Sequence, residues 1–274
     1  MTVVATRASP IQRVMRGGVL LYVAALVALP LAALASTGLA NGLAGVWRAA
    51  SSPIAADALL LTLWTGGLTA VINAFFGTAT AWALVRFRFP GRKILQAIVD
   101  LPFAIPTLVT GVMLVLLLGP TRPLGRWFEA RGVEILFAPP AIILALLFVT
   151  VPFVVRAVEP VLAELDPAEE EAARTLGAGD WAVVRRVILP ALMPAIGVGA
   201  LQSFARAIAE FGSIIVVSGN IPHKSLTGAI YIFGEVEGGR PDIAASVSLV
   251  LLALSFALSL GARAFRHAIG SRRV

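Results

Sequence analysis

Few side chains in this chain can do chemistry. Only 14% of its 274 residues are charged, cysteine is absent, and the two histidines, His223 and His267, lie far apart. Disulfides and thiolate sites are therefore excluded, and a histidine metal centre is not expected. The phosphate-loop, H-E-x-x-H and G-x-S-x-G signatures are missing as well, so neither nucleotide hydrolysis nor hydrolytic catalysis is expected on this chain. Three groups remain. Arg206 and Glu210 are four apart in an apolar run, a spacing that permits an ion pair on one helix. Ionisable groups at such depth are costly and are usually paired or face water. The pair either locks helix packing or borders a polar pathway with Ser213, where Arg206 can attract an oxyanion transiently. Asp100, Pro102, Pro106 and Thr107 interrupt a second apolar run. Each proline removes a backbone hydrogen bond, and irregular backbone survives in a membrane only against protein or water. That stretch therefore reads as part of a gate, with Asp100 an interfacial or capping charge beside Arg92 and Lys93. Finally, six of the 15 acids crowd between Glu159 and Glu171. Glu169, Glu170 and Glu171 fall in the first turns of a capped helix, where they suit the helix dipole better than a metal site.

The elements that must hold these groups are membrane helices. Hydrophobic residues make up 58% of the chain and mean hydropathy is +0.91, well above soluble composition. The net charge of +7 rests on 20 arginines and two lysines. They sit between apolar runs, as loop charges do, and form no polar stripe of the kind that binds nucleic acid. Six runs are long enough to cross a bilayer: Gly18–Gly38, Leu59–Val85, Ile94–Gly119, Phe137–Val158, Ala195–Gly219 and Ile243–Phe265. The fold class expected is an all-α integral membrane protein with six transmembrane helices over 18–265, a short segment 1–17 before them and a tail 266–274. The first run follows Arg7, Arg13 and Arg16, but it is longer than a signal-peptide core and reads as an uncleaved helix. Alternate loops carry 15 Lys and Arg against 6, which puts both termini in the cytoplasm.

One cytoplasmic stretch, about 160–194, reads as structured. Asp166 is a helix cap, Pro167 fits the first helical position and Glu169 completes a capping box. Gly177 suits the left-handed residue that ends the helix. Ala172, Ala173 and Leu176 are expected to share a small apolar face, and a second short helix to run from Asp180 to just before Pro190. The outer stretch 219–242, with His223 at the surface, reads as a docking loop or a solvated turn. Small-residue pairs such as Gly38 with Gly42 and Gly197 with Gly199 suit close helix packing.

The run Glu171-Ala172-Ala173, three residues, Gly177, nine residues, Val187, one residue, Leu189-Pro190 resembles the EAA loop of binding-protein-dependent ABC importer permeases. The pattern there is E-A-A-x3-G-x9-I-x-L-P, and Val187 replaces isoleucine. The resemblance runs from about Tyr22 to Phe265. Asp100 to Thr107, Phe204 to Ser213 and Ser218 to Pro222 look like the T subunit of sulfate/thiosulfate permeases, and molybdate permeases share part of this. It implies a MetI-like permease in the bacterial inner membrane, with the EAA residues and Leu176 forming a coupling helix that docks on an ATPase subunit. It further implies an ATPase dimer carrying ATP and Mg, a homologous W-type permease subunit, a periplasmic sulfate-binding protein and membrane lipid as partners. The rival from another class is an ion-coupled secondary transporter, which has no use for an EAA loop.

Overall fold

Proline marks several helix starts in this chain, because its missing N–H costs nothing in a first turn. The computed structural model describes residues 10–270. Its elements are α1 (Pro10–Gly38), α2 (Gly42–Ala50), α3 (Pro53–Arg86), α4 (Arg92–Ala104), α5 (Thr107–Leu118), α6 (Pro123–Glu129), α7 (Pro139–Glu164), α8 (Pro167–Thr175), α9 (Asp180–Val183), a π-helical turn (Val184–Ile188), α10 (Leu189–Ile208), α11 (Gly212–Val217), α12 (Gly228–Glu237) and α13 (Pro241–Gly270). The described residues contain no strand, so the all-α expectation holds. Segment 1–17 and tail 266–274 fall partly outside the described residues.

Among the described residues, four helices are long and apolar enough to cross a membrane: Met15–Gly38, Pro53–Arg86, Pro139–Glu164 and Asp180–Ile208. The anticipated third run is not one helix. It breaks into α4 and α5, bent by 114°, and counts as a fifth span if both halves form one. The anticipated fifth run also differs, since its helix begins at Asp180 and ends at Ile208, with α11 separate.

At the centre α3, α7 and α10 pack against one another. Lipid gives no hydrophobic reason for helices to associate, so close approach and hydrogen bonds must supply it. Gly77 faces Val154, where a Cβ would come within 2.7 Å, and Gly199 presses on the Val154 backbone at the same distance. One helical turn away on the same three helices lies a buried polar knot. The Asn73 amide donates to Thr150 Oγ1 at 2.7 Å and to Ser203 Oγ at 3.1 Å, and Ser203 Oγ donates to Thr150 Oγ1 at 2.9 Å. An apolar cluster that includes Leu84, Val158, Leu162, Val183 and Ile188 closes one end of this core. On the outside, α1 rests on α13 through Gly38, where a Cβ would come within 2.9 Å of Ala245 O. Gly42, expected to pack with it, faces open space and serves instead through its φ of +64°.

Candidate functional site

The 160–194 segment folds against the core by its own local signals and two contacts. The Asp166 carboxylate accepts the Ala168 N–H at 2.9 Å, Pro167 opens α8, and Gly177 takes φ +83° just beyond its end. Glu170 is nearly buried and ion-paired with Arg86, the last residue of α3. Three residues on, along the same face, Ala173 packs against the apolar cluster. The face expected of Ala172, Ala173 and Leu176 is therefore split, because Glu170 and Ala173 turn that side of α8 inward. Leu176 is 89% exposed and Trp181 74% exposed, so two large apolar side chains project from the segment together with exposed Glu171 and Ala172. The second helix starts at Asp180 with Gly179 as its cap, and it does not stop before Pro190. It passes through the π turn at Val184–Ile188 directly into α10. Proline lacks an N–H and its ring collides with the carbonyl four residues back, and a one-turn π widening removes that conflict. Val187, Leu189 and Pro190 thus lie where the segment becomes a spanning helix.

The two helix breaks of the anticipated third and fifth runs meet each other. Pro102 sits buried inside α4 without ending it. The break falls at Ile105, which is extended (φ −88°, ψ 126°) as a residue before proline should be, and Pro106 then caps α5. Opposite, α10 ends at Ile208 and α11 starts at Gly212. A Cβ on Gly212 would fall 2.3 Å from Thr107 Oγ1, and one on Gly111 would fall 2.6 Å from Ser213 O. Only glycine lets these backbones touch. Glu210 is 1% exposed at this junction. Its Oε1 accepts the Ser213 N–H at 2.8 Å and the Ser213 hydroxyl at 2.9 Å, and its Oε2 lies 2.6 Å from Arg206 Nη2. The expected ion pair forms, but not within one helix: it joins α10 to Glu210 in the break, and Glu210 in turn holds Ser213 of α11. Arg206, Glu210, Ser213, Pro106 and Thr107 are thus one cluster.

Asp100 stands apart from it. Its carboxylate grips Arg156 of α7 rather than Arg92 or Lys93, accepting Nε at 2.9 Å and Nη2. Arg156 Nη1 also reaches Glu159 Oε2 at 2.8 Å, and Gln96 donates to Glu159 Oε1 at 3.4 Å. This network borders an open groove of about 450 Å³ lined by Phe103, Phe153, Pro194 and Gln202 among others. Sequence reading assigned no role to Arg156 or to the Asn73–Thr150–Ser203 knot. The signal for each was a polar residue inside an apolar run, which names no partner.

The 219–242 stretch is folded, not a bare turn. It contains α12, whose first residue Gly228 donates its N–H to Thr62 Oγ1 at 2.8 Å. His223 is exposed, as expected, with Nδ1 2.5 Å from Asp57 Oδ2, and Lys224 Nζ is 2.5 Å from Glu134 Oε2. The Lys224 hydrogen bond and charge hold the Glu134 carboxyl below its ordinary pKa.

Residues 73–272 match the family described as binding-protein-dependent transport system inner membrane component. The chain is 40% identical over 240 residues to a probable sulfate transport system permease protein cysT of Chlorokybus atmophyticus, covering 88% of this chain and 84% of that one. It is 37% identical over 258 residues to the sulfate transport system permease protein CysT of Escherichia coli, covering 94% and 93%. A Synechocystis sulfate transport system permease protein CysW is 42% identical over 199 residues, 73% and 72% of the two chains. Among solved structures, a bacterial ABC transporter that imports alginate matches with TM-score 0.79 at 19% identity, covering 94% of this chain and 96% of that one. That likeness speaks for the fold.

Proposed function

The chain belongs to the family of binding-protein-dependent transport system inner membrane components, and from that premise we propose that it is a permease subunit of an ATP-driven sulfate/thiosulfate importer. The observation that carries the solute class is the 37% identity to a sulfate permease along 94% of the chain. In this reading it forms half of a translocation pathway, paired with a W-type permease subunit, two ATPase subunits that carry ATP and Mg, and a periplasmic sulfate-binding protein. The chain itself does no covalent chemistry. The bent pair α4–α5 counts as one span and α13 as another, which gives six spans with both termini in the cytoplasm.

Within this assembly α8 is the coupling helix. Glu171 and Ala172 on its exposed side, with Leu176 and Trp181 beyond, offer the ATPase a surface. Glu170 and Ala173 bind α8 to α3 and the core, and the unbroken passage through Val187, Leu189 and Pro190 into α10 gives motion a rigid route. That route ends at the cluster of Arg206, Glu210, Ser213, Pro106 and Thr107, where two broken helices touch. Interrupted backbone with a buried charge suits a moving gate better than a resting core. Arg206 is neutralised by Glu210, so it offers a passing dianion a transient contact and no deep well. Asp100 is held by Arg156 at the separate groove between α4, α7 and α10, a second stretch of the proposed pathway.

ATP-dependent uptake by the full complex in reconstituted vesicles tests this reading. Sulfate and thiosulfate should enter only with ATP, the ATPase subunits and the binding protein. Uptake driven by an ion gradient without ATP, or molybdate accepted to the exclusion of sulfate, would refute it.

A further inference from the structure

At the end of α3 remote from Arg86 and Glu170, α2, α12 and the starts of α3 and α13 enclose a recess of about 630 Å³. Its lining includes Asn41, Arg48, Ser52, Tyr231, Glu235 and Arg240. The charges inside are not balanced. Glu235 is nearly buried and is held by Arg240, whose Nε lies 2.6 Å from Oε2 and whose Nη2 donates to Oε1 at 3.1 Å. Tyr231 lines the recess beside them. That leaves Arg48, whose Nε makes a long 3.4 Å bond to Ala44 O and which meets no carboxylate among the described residues. The recess therefore carries one uncompensated positive charge. Its rim is apolar: on α2, Leu43 is 78% exposed and Trp47 73% exposed, and Ile54 at the start of α3 is 39% exposed. No residue of α2 is buried.

A site for a small ion dissolved in water has no use for such a rim. A tryptophan beside an arginine on a short helix at a span's end is the arrangement found where headgroups meet hydrocarbon. We propose that this recess binds the headgroup of a phospholipid. The singly charged phosphodiester pairs with Arg48, with Asn41 within the same lining as a donor, while the acyl chains run along Leu43, Trp47 and Ile54. Charge and shape agree: one residual cation for one phosphodiester anion, and an apolar flank for its chains. The assignment does not depend on which solute the chain transports.

Native mass spectrometry of the purified, delipidated full complex, titrated with phosphatidylglycerol, tests the proposal. The wild-type chain should hold one phospholipid that Arg48→Gln binds about five- to tenfold more weakly, the loss expected for one interfacial charge. Arg48→Lys should keep most of the binding, which separates lost charge from a damaged fold. Arg88→Gln, at the opposite end of α3, should bind as wild type does. Equal retention by Arg48→Gln and wild type would overturn the proposal. So would diacylglycerol binding as tightly as the phospholipid. Displacement of the lipid by millimolar phosphate or sulfate would instead assign the recess to a free oxyanion and overturn the lipid reading.

Discussion

Glu210 does two things at once, and the distinction can be measured. One carboxylate oxygen faces Arg206 and the other accepts two bonds from Ser213. Removing a buried partner of an ion pair costs roughly 3–5 kcal/mol. Because the Arg206 side chain keeps 32% of its exposure, water offsets part of that, and Glu210→Ala should cost about 1–3 kcal/mol. Thermal unfolding of the purified complex would report it as a lowered Tm. The exchanged pair Arg206→Glu with Glu210→Arg is the sharper case. Arginine has no acceptor, so at 210 it cannot take the Ser213 N–H, and the exchange should restore neither Tm nor uptake. Recovery of both would reduce Glu210 to a mere counter-charge.

At the scale of elements, the 160–194 segment divides into what neighbours in sequence dictate and what they do not. Gly177 belongs to the first kind. A Cβ there would meet nothing within 4 Å, yet φ is +83°, so the whole cost of Gly177→Ala is conformational, about 1 kcal/mol. Gly177→Asn should lose less, since asparagine tolerates that region. Uptake per ATP hydrolysed should follow the same order, wild type above Asn above Ala, and equal coupling in all three would show that the turn is not needed. The Asp166 cap, Pro167 and Gly177 were legible because each acts on backbone within a few residues. The Arg86–Glu170 pair was not, because its members meet only after α3 and α8 pack. The π turn was missed for a related reason. Proline before a membrane run reads as a helix stop, and only the packing of Val183 and Ile188 into the core makes widening the turn better than ending it. The meeting of the helix breaks was hidden likewise: Pro106 signalled one break, whereas nothing in the Ala209–Phe211 stretch resembles a stop signal.

For the whole molecule, charge placement predicts a direction that packing leaves open. The two ends of α3, a 34-residue helix, are roughly 50 Å apart at 1.5 Å per residue, enough to pass through a bilayer. One end meets α8 through Arg86 and Glu170. At the other, Asp57 pairs with His223 and the recess around Arg48 opens. Lys and Arg favour cytoplasmic loops because translocating them is costly, so the α8 end should face the cytoplasm. The absence of native cysteine allows a direct reading. In intact cells with a permeabilised outer membrane, a membrane-impermeant maleimide should label Arg131→Cys and leave Arg88→Cys and Leu176→Cys untouched. In inside-out vesicles the pattern should reverse. Leu176 is the decisive position: it is 89% exposed on this chain, so it is open to the reagent in inside-out vesicles stripped of their ATPase subunits. Labelling of Leu176→Cys from outside would invert the molecule, and a cytoplasmic ATPase could then not reach α8 as proposed.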